Sequence, residues 1–274
     1  MKILNLVPKY IETISKEKSL KKYFSQFPNL FEHYFTFWSD KNLSFVTNLK
    51  TIKNGEQLIL DNIDYIEKKL KHAELPVETI KVVLFVGQDV SNGHAAYLDN
   101  EWWVWVPVET YASKIQVDAF LPHEIIHGIH YSMQTDFYFS TRAEKNNTSR
   151  QIITEGIATL GTMQVMEMTQ YEAMWADFLD KENYNVWLNQ YEERRPELLK
   201  FVTENWDKSA KKLFQAHDPK DILKFRIGYL IALKAVENVF STTSLSKILE
   251  VNREYFSIEL LKYIKKERGQ RSRS

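Results

Sequence analysis

Apolar positions in the first quarter of the chain recur with a helical period, and residues 9–75 read as helices joined by short turns. The clearest of them runs from Glu56 to Lys71, with Leu58, Ile59, Ile63, Ile66 and Leu70 on one face. Asn54-Gly55 before it reads as a turn, and Pro76 after it as a stop. Tyr23 to Trp38 is dense in aromatic residues and broken at Pro28. At this spacing the aromatics are expected to fill a helical core rather than line a ligand groove.

The period changes between residues 80 and 110. Ile80 to Val86 is a short β-branched run bounded by Gly87, which predicts a buried strand. Ser91-Asn92-Gly93 predicts a turn. A second strand is expected from Glu101 to Glu109, with Trp103 and Trp105 on one face and Val104, Val106 and Val108 on the other. Pro107 has no N–H to give to a ladder, so this strand is expected at a sheet edge. Such an edge could hold an extended peptide as an added strand, or simply be an edge protected by proline.

Helical patterning returns after a short connection. The stretch Leu121-Pro122-His123-Glu124-Ile125-Ile126-His127-Gly128-Ile129-His130 carries apolar residues for one buried side. Pro122 leaves two alternatives: the helix begins near it, or Asp118 caps an earlier turn and Pro122 falls within the first turns. Residues 144–149 are polar and loop-like. Thr148 and Gln151 then offer a capping box for a helix through Ile152-Ile153-Thr154-Glu155-Gly156-Ile157-Ala158-Thr159-Leu160-Gly161. From Tyr171 on the chain is helical, with Pro196 as a break. Asp218-Pro219 predicts a further helix start, running through Gly228-Tyr229 towards Val239. The segment from Lys265 to Ser274 is basic, poor in apolar residues, and expected to be flexible. These features divide the chain into an N-terminal helical region (1–76), a main domain with C-terminal helices (77–264) and a tail (265–274).

Composition narrows the function classes. At 274 residues and 44% hydrophobic the chain can bury a sizeable core. Its formal net charge of zero supplies no global field for nucleic acid or an anionic membrane. Cysteine is absent, which excludes disulfides and thiolate metal sites. The apolar run at Met1–Pro8 is too short for a signal peptide, so a chain beginning at its natural start is expected in the cytoplasm. No apolar run approaches membrane-spanning length.

The chemistry concentrates in His123-Glu124-x-x-His127. Residues four apart on a helix lie about 6 Å apart along the axis and about 40° apart around it. Two imidazoles so placed can share one tetrahedral zinc ion, with Glu124 beside them as general base on zinc-bound water. A third ligand is expected from Glu155, because Gly156, Ala158 and Gly161 leave room for close approach to the histidine helix. Glu144 and Asp136 are the competing carboxylates. His130, seven residues from His123, is too far along the axis to share the ion and is expected nearby or at the surface. The metzincin pattern would need Gly at 130 and His at 133; His130 and Met133 exclude it. His33, His72, His94 and His217 show no ligand spacing.

His123-Glu124-x-x-His127 followed by Glu155-Gly156-x-Ala158 resembles the gluzincin group of zinc peptidases, and Gly228-Tyr229 is similar to an element of a family of predicted zinc-dependent proteases. The likeness spans roughly residues 80–239. It implies a mainly helical, zincin-like α+β fold, with a small sheet whose edge strand lies over the active helix. It also implies Zn2+ on His123, His127 and Glu155, hydrolysis of a peptide or protein substrate, and Tyr229 as a candidate oxyanion donor. Two readings of other classes stand beside it: a non-catalytic zinc-bearing binding module, and a metal-free helical interaction protein.

Overall fold

The computed structural model describes residues 1–17 and 19–269. It is a mainly helical α+β structure with one small mixed sheet, divided into compact units at Met1–Ser132 and Met133–Ser274. No helix among the described residues is long and apolar enough to cross a membrane.

The first unit contains β1 (Lys2–Asn5), α1 (Val7–Lys16), α2 (Lys21–Phe24), α3 (Pro28–Phe37), α4 (Leu49–His72), β2 (Ile80–Phe85), β3 (His94–Leu98), β4 (Glu101–Pro107) and α5 (Lys114–Met133). The sheet order is β1-β2-β4-β3; β1, β2 and β4 run parallel, and β3 is antiparallel to β4. Strands β1 and β3 are short segments that the hydrophobic pattern does not announce, and β1 draws the N-terminus into the sheet.

Their presence corrects the expected edge strand. β4 is central, paired on both sides, and Pro107 is its last residue, where the ladder ends. The antiparallel edge is β3. Its Ala95 and Ala96 are 0% exposed while Tyr97 is 48% exposed, so most of that edge is covered rather than open to an added strand.

Both faces of the sheet are buried. Trp103, Trp105 and Phe85 point to one face, where their rings meet Phe27, Tyr34, Trp38 and Phe31 edge-on. Half of the aromatic rings of this stretch, those of Tyr23, Phe27, Phe31 and Tyr34, are buried core as their spacing predicts, while Phe24, Phe31 and Phe35 also line a surface cavity with Pro28 and Lys41. On the opposite face lies α5. A Cβ on Gly128 would sit 3.2 Å from Ile80 Cδ1 and from Val104 Cγ2, so glycine is what lets the helix lie this close to the strands.

Asn54-Gly55 is not a turn but the second turn of α4. A methyl group at 55 would collide with the Val108 carbonyl in the 3-10 turn Val108–Thr110, so the glycine serves packing rather than chain reversal. The helix starts at the Asn48 cap, whose side chain accepts from the Lys50 and Thr51 amides.

The second unit contains α6 (Arg142–Lys145), α7 (Thr148–Met166), α8 (Gln170–Trp175), α9 (Lys181–Glu204), α10 (Ile227–Val239), α11 (Leu245–Leu249) and α12 (Arg253–Gly269), with α7 packed on α10 and α9 on α12. Four expectations change here. Asn147, not Thr148, caps α7: its side chain accepts from the Arg150 amide, while the Thr148 hydroxyl donates to the Lys208 carbonyl. Pro196 lies inside α9, a 24-residue helix that absorbs one lost backbone bond without breaking.

The third change concerns Asp218-Pro219, which starts no helix. Asp218 accepts from the Lys220 amide in a turn, Asp221 caps a 3-10 turn at Ile222–Lys224, and Arg226 adopts φ 56° before α10 begins at Ile227. Residues 265–269 continue α12 instead of fraying; the rest of the expected tail, 270–274, lies outside the described residues.

Candidate metal centre

Helix α5 begins well before the motif, earlier than either alternative drawn from the sequence. Ser113 accepts from the Gln116 amide through its hydroxyl at 3.4 Å, and the Gln116 side chain accepts from the Ala112 amide at 2.8 Å, a reciprocal start signal. Asp118 pairs with Lys114 on the exposed side. Pro122 therefore lies within the helix, where its missing N–H costs one bond to the Asp118 carbonyl. The helix continues through it with His123 and His127 on its buried side.

The two imidazoles meet. His123 Nε2 and His127 Nε2 lie 3.1 Å apart, and the side chains are 7% and 3% exposed. Two nitrogens bound to one tetrahedral zinc at about 2.0–2.1 Å would be separated by about 3.3 Å, so the observed pair needs almost no adjustment. One ligand atom from each of His123, His127 and Glu155 lies within 4.8 Å of the others, with Glu155 half-buried. The donor set of two imidazoles and one carboxylate fits a first-row metal ion.

The competing carboxylates are placed otherwise. Glu144 closes a capping box with Thr141 and also accepts from Ser140, and these hydrogen bonds hold its carboxyl below the usual range. Asp136 is exposed, in a 3-10 turn whose backbone carbonyl accepts from Arg253. His130 is fully buried, not at the surface, and is not part of the ligand cluster.

Gly156 of α7 serves a different contact from the one expected. A Cβ on Gly156 would lie 2.6 Å from the Ala232 carbonyl oxygen and 2.7 Å from Val236 Cγ2, both on α10. The glycine admits α10, so the steric reason for choosing Glu155 does not hold at this position. Gly228 similarly admits the 3-10 turn Lys211–Phe214. Tyr229 sits in the first turn of α10, with the Arg226 guanidinium 4.4 Å from its ring centroid and Phe214 edge-on to it.

Three residues that the motif did not point to surround the centre. Gly93 precedes β3, and a Cβ there would be 3.0 Å from Glu124 Cγ and 3.0 Å from the Trp105 carbonyl oxygen. Tyr111, buried, donates its hydroxyl to the Asn92 carbonyl at 2.7 Å and so pins the same loop. Burial raises the Tyr111 phenol well above its ordinary pKa, and the Glu124 charge adds to the rise. Tyr131, one turn after His127, places its hydroxyl 3.4 Å from His127 Nδ1. The i, i+4 spacing from His127 was the available signal for Tyr131; Gly93 and Tyr111 carry none in isolation. No protein-family model, curated protein or solved structure matches the chain.

Proposed function

We propose that the protein is a zinc-dependent metallopeptidase of gluzincin type. The observation that supports this best is the convergence of both motif imidazoles with the carboxylate of the downstream Glu-Gly-x-Ala segment. A small sheet packed against the motif helix fits the zincin-like arrangement that the resemblance implies.

His123, His127 and Glu155 would hold the ion through two imidazoles and one carboxylate. Bound zinc supplies a Lewis acid for the scissile carbonyl and lowers the pKa of the attacking water to about 7. Glu124 takes the proton from that water and returns it to the leaving amine. Its side chain is half-buried and lies against Gly93, where a Cβ would come within 3.0 Å of Glu124 Cγ. Tyr229 is the candidate second donor to the developing oxyanion. The substrate is a peptide or protein; zero net charge gives no reason to invoke nucleic acid or a membrane.

A non-catalytic zinc-bearing module is the second reading, favoured by the deep burial of both imidazoles and the covered stretch of β3. Elemental analysis of protein purified without chelator, with an unbiased peptide-cleavage profile, separates the two. One zinc per chain with cleavage that is lost on chelation and restored by zinc supports the peptidase. One zinc with no cleavage of any peptide supports the module. A wild type that neither contains nor takes up zinc defeats both.

A further inference from the structure

We propose that loop 87–93, which runs past Glu124, is latched by the proton on the buried Glu109 carboxyl and opens more often once that proton is lost. The latch needs neither an ion nor a substrate, so it stands apart from the peptidase reading.

The loop connects β2 to β3, and four side chains hold its backbone. At its start the Tyr23 hydroxyl donates to the Val86 carbonyl at 2.9 Å and accepts from the Val86 amide at 2.7 Å. The Tyr34 hydroxyl accepts from the Gln88 amide at 3.0 Å. At its end the Tyr111 hydroxyl donates to the Asn92 carbonyl, and the next residue, Gly93, lies against Glu124. Between these points Glu109 Oε1 accepts from the amides of Gly87 and Asp89. Asp89 has φ 53°, a left-handed conformation that residues with a side chain rarely keep without restraint.

Three of the four pins keep their protons throughout the neutral range. Burial raises the phenols of Tyr23 and Tyr111 well above their ordinary pKa and pushes Tyr34 up to about 12. Glu109 is the pin that titrates. It is faced by Tyr10 of α1, Tyr23 of α2, Tyr34 of α3 and Asp89 of the loop itself, and these four groups supply no positive charge. Its Oε2 is buried and meets no hydrogen-bond partner among the described residues. A neutral carboxyl tolerates such a place far better than a charged one. Burial therefore lifts the carboxyl from 4.5 to about 7; the Gly87 and Asp89 amides oppose the rise, and the Asp89 charge adds to it.

Moving residues 87–89 off Glu109 relieves the buried charge with the sheet still paired. Asp89 is exposed, so water reaches the carboxyl from that side once the loop lifts. Below about pH 4.5 the carboxyl keeps its proton whether the loop is closed or open. Between about 4.5 and 7 the open loop releases the proton and the closed loop retains it, so opening becomes about tenfold more frequent per pH unit. Above about 7 both forms are ionised and the rise levels off. From pH 4 to pH 8 the open fraction grows about 200-fold. The loop beside Glu124 is thus tightest in acid and loosest above neutrality.

Amide hydrogen exchange of the full chain, read by NMR and corrected for the intrinsic pH dependence of exchange, tests the latch. Protection of the Gly87 and Asp89 amides is expected to fall about 200-fold between pH 4 and pH 8. It is also expected to stay below that of Val83 and Val104, which lie in the central strands β2 and β4. Glu109→Gln keeps an oxygen for both amides and is expected to hold their protection flat with pH. Loop amides as well protected as Val83 and Val104 would mean that the loop opens only when the whole unit unfolds, and would overturn the latch. Wild-type protection that stays flat with pH, a result that needs no variant, would overturn it too. So would a Glu109→Gln protein that keeps the wild-type pH dependence.

Discussion

Replacing Glu109 with glutamine is expected to remove a pH-dependent weakness from the first unit. Glu109 lies in the 3-10 turn after β4, 6% exposed, and its Oε1 accepts from the amides of Gly87 at 2.9 Å and Asp89 at 3.3 Å. Burial pushes its carboxyl from the ordinary 4.5 up to about 7, against the pull of those amides and helped by the charge of Asp89. The sign follows from linkage. Below about pH 4.5 the carboxyl is protonated in folded and unfolded chain alike. Between 4.5 and 7 the unfolded chain releases the proton while the folded chain keeps it, so stability falls as pH rises and levels off above about 7. At about 1.4 kcal/mol per pH unit the whole loss is about 3 kcal/mol. Glutamine keeps an oxygen for both amides and carries no charge. Urea denaturation followed by tryptophan fluorescence, with Trp38, Trp103 and Trp105 in the same core, should therefore show Glu109→Gln gaining about 3 kcal/mol on the wild type between pH 4 and pH 8. Titrations shared by the two proteins cancel in this difference. A difference that stays flat with pH, or one that favours the wild type at high pH, would refute the reasoning.

The other expectations concern the centre. Glu124→Gln keeps shape but removes the base, so zinc content should hold while hydrolysis falls by about 10²-fold or more; zinc lost with the substitution would make Glu124 a ligand instead. Glu155→Ala should weaken zinc binding strongly and Glu144→Ala should not, because Glu144 is engaged in its cap; equal effects in a metal titration would remove the support for Glu155. Gly93→Ala should leave zinc in place but lower turnover by up to about 10²-fold, since the methyl group presses on Glu124; unchanged kcat would show that the loop yields. Gly156→Ala should destabilise the α7–α10 contact by about 1–3 kcal/mol with zinc stoichiometry retained; zinc loss without a change in melting would point to a closer role at the metal.

What the sequence discloses about the fold depends on whether a signal is local. Strand β2 is legible because Ile80–Phe85 is an unbroken apolar run, and the α4 face because its isoleucines keep helical register. Strand β3, His-Ala-Ala-Tyr-Leu, lacks a β-branched residue, and β1 is four residues long; neither carries a strand signal on its own. Missing β3 made β4 look like an edge, since Pro107 is equally at home on an edge or at the last rung of a central strand. Proline and glycine misled for one shared reason. At Gly55, Pro122 and Pro196 local chemistry argues for a turn or a break, and the surrounding packing keeps the helix whole.

The centre shows a different balance, and Glu155 makes it plain. The motif chemistry asked for a carboxylate on a second element, and that requirement holds without any knowledge of packing. Gly156 opens no path to the histidine helix, because the Ala232 carbonyl lies where that glycine has no side chain. Choosing Glu155 therefore rests on the motif, on the proximity of its carboxylate to both imidazoles, and on the commitment of Glu144 to its cap. A small-residue stripe says that something comes close but not what, because backbone approach has no chemical preference. Ligand spacing is more informative: a metal accepts few donor sets and few distances, so each added residue that satisfies them removes alternatives. On that account Tyr131 was within reach from the start, one turn from His127 on the same face, while Gly93 and Tyr111 act through a loop whose path only the folded sheet determines.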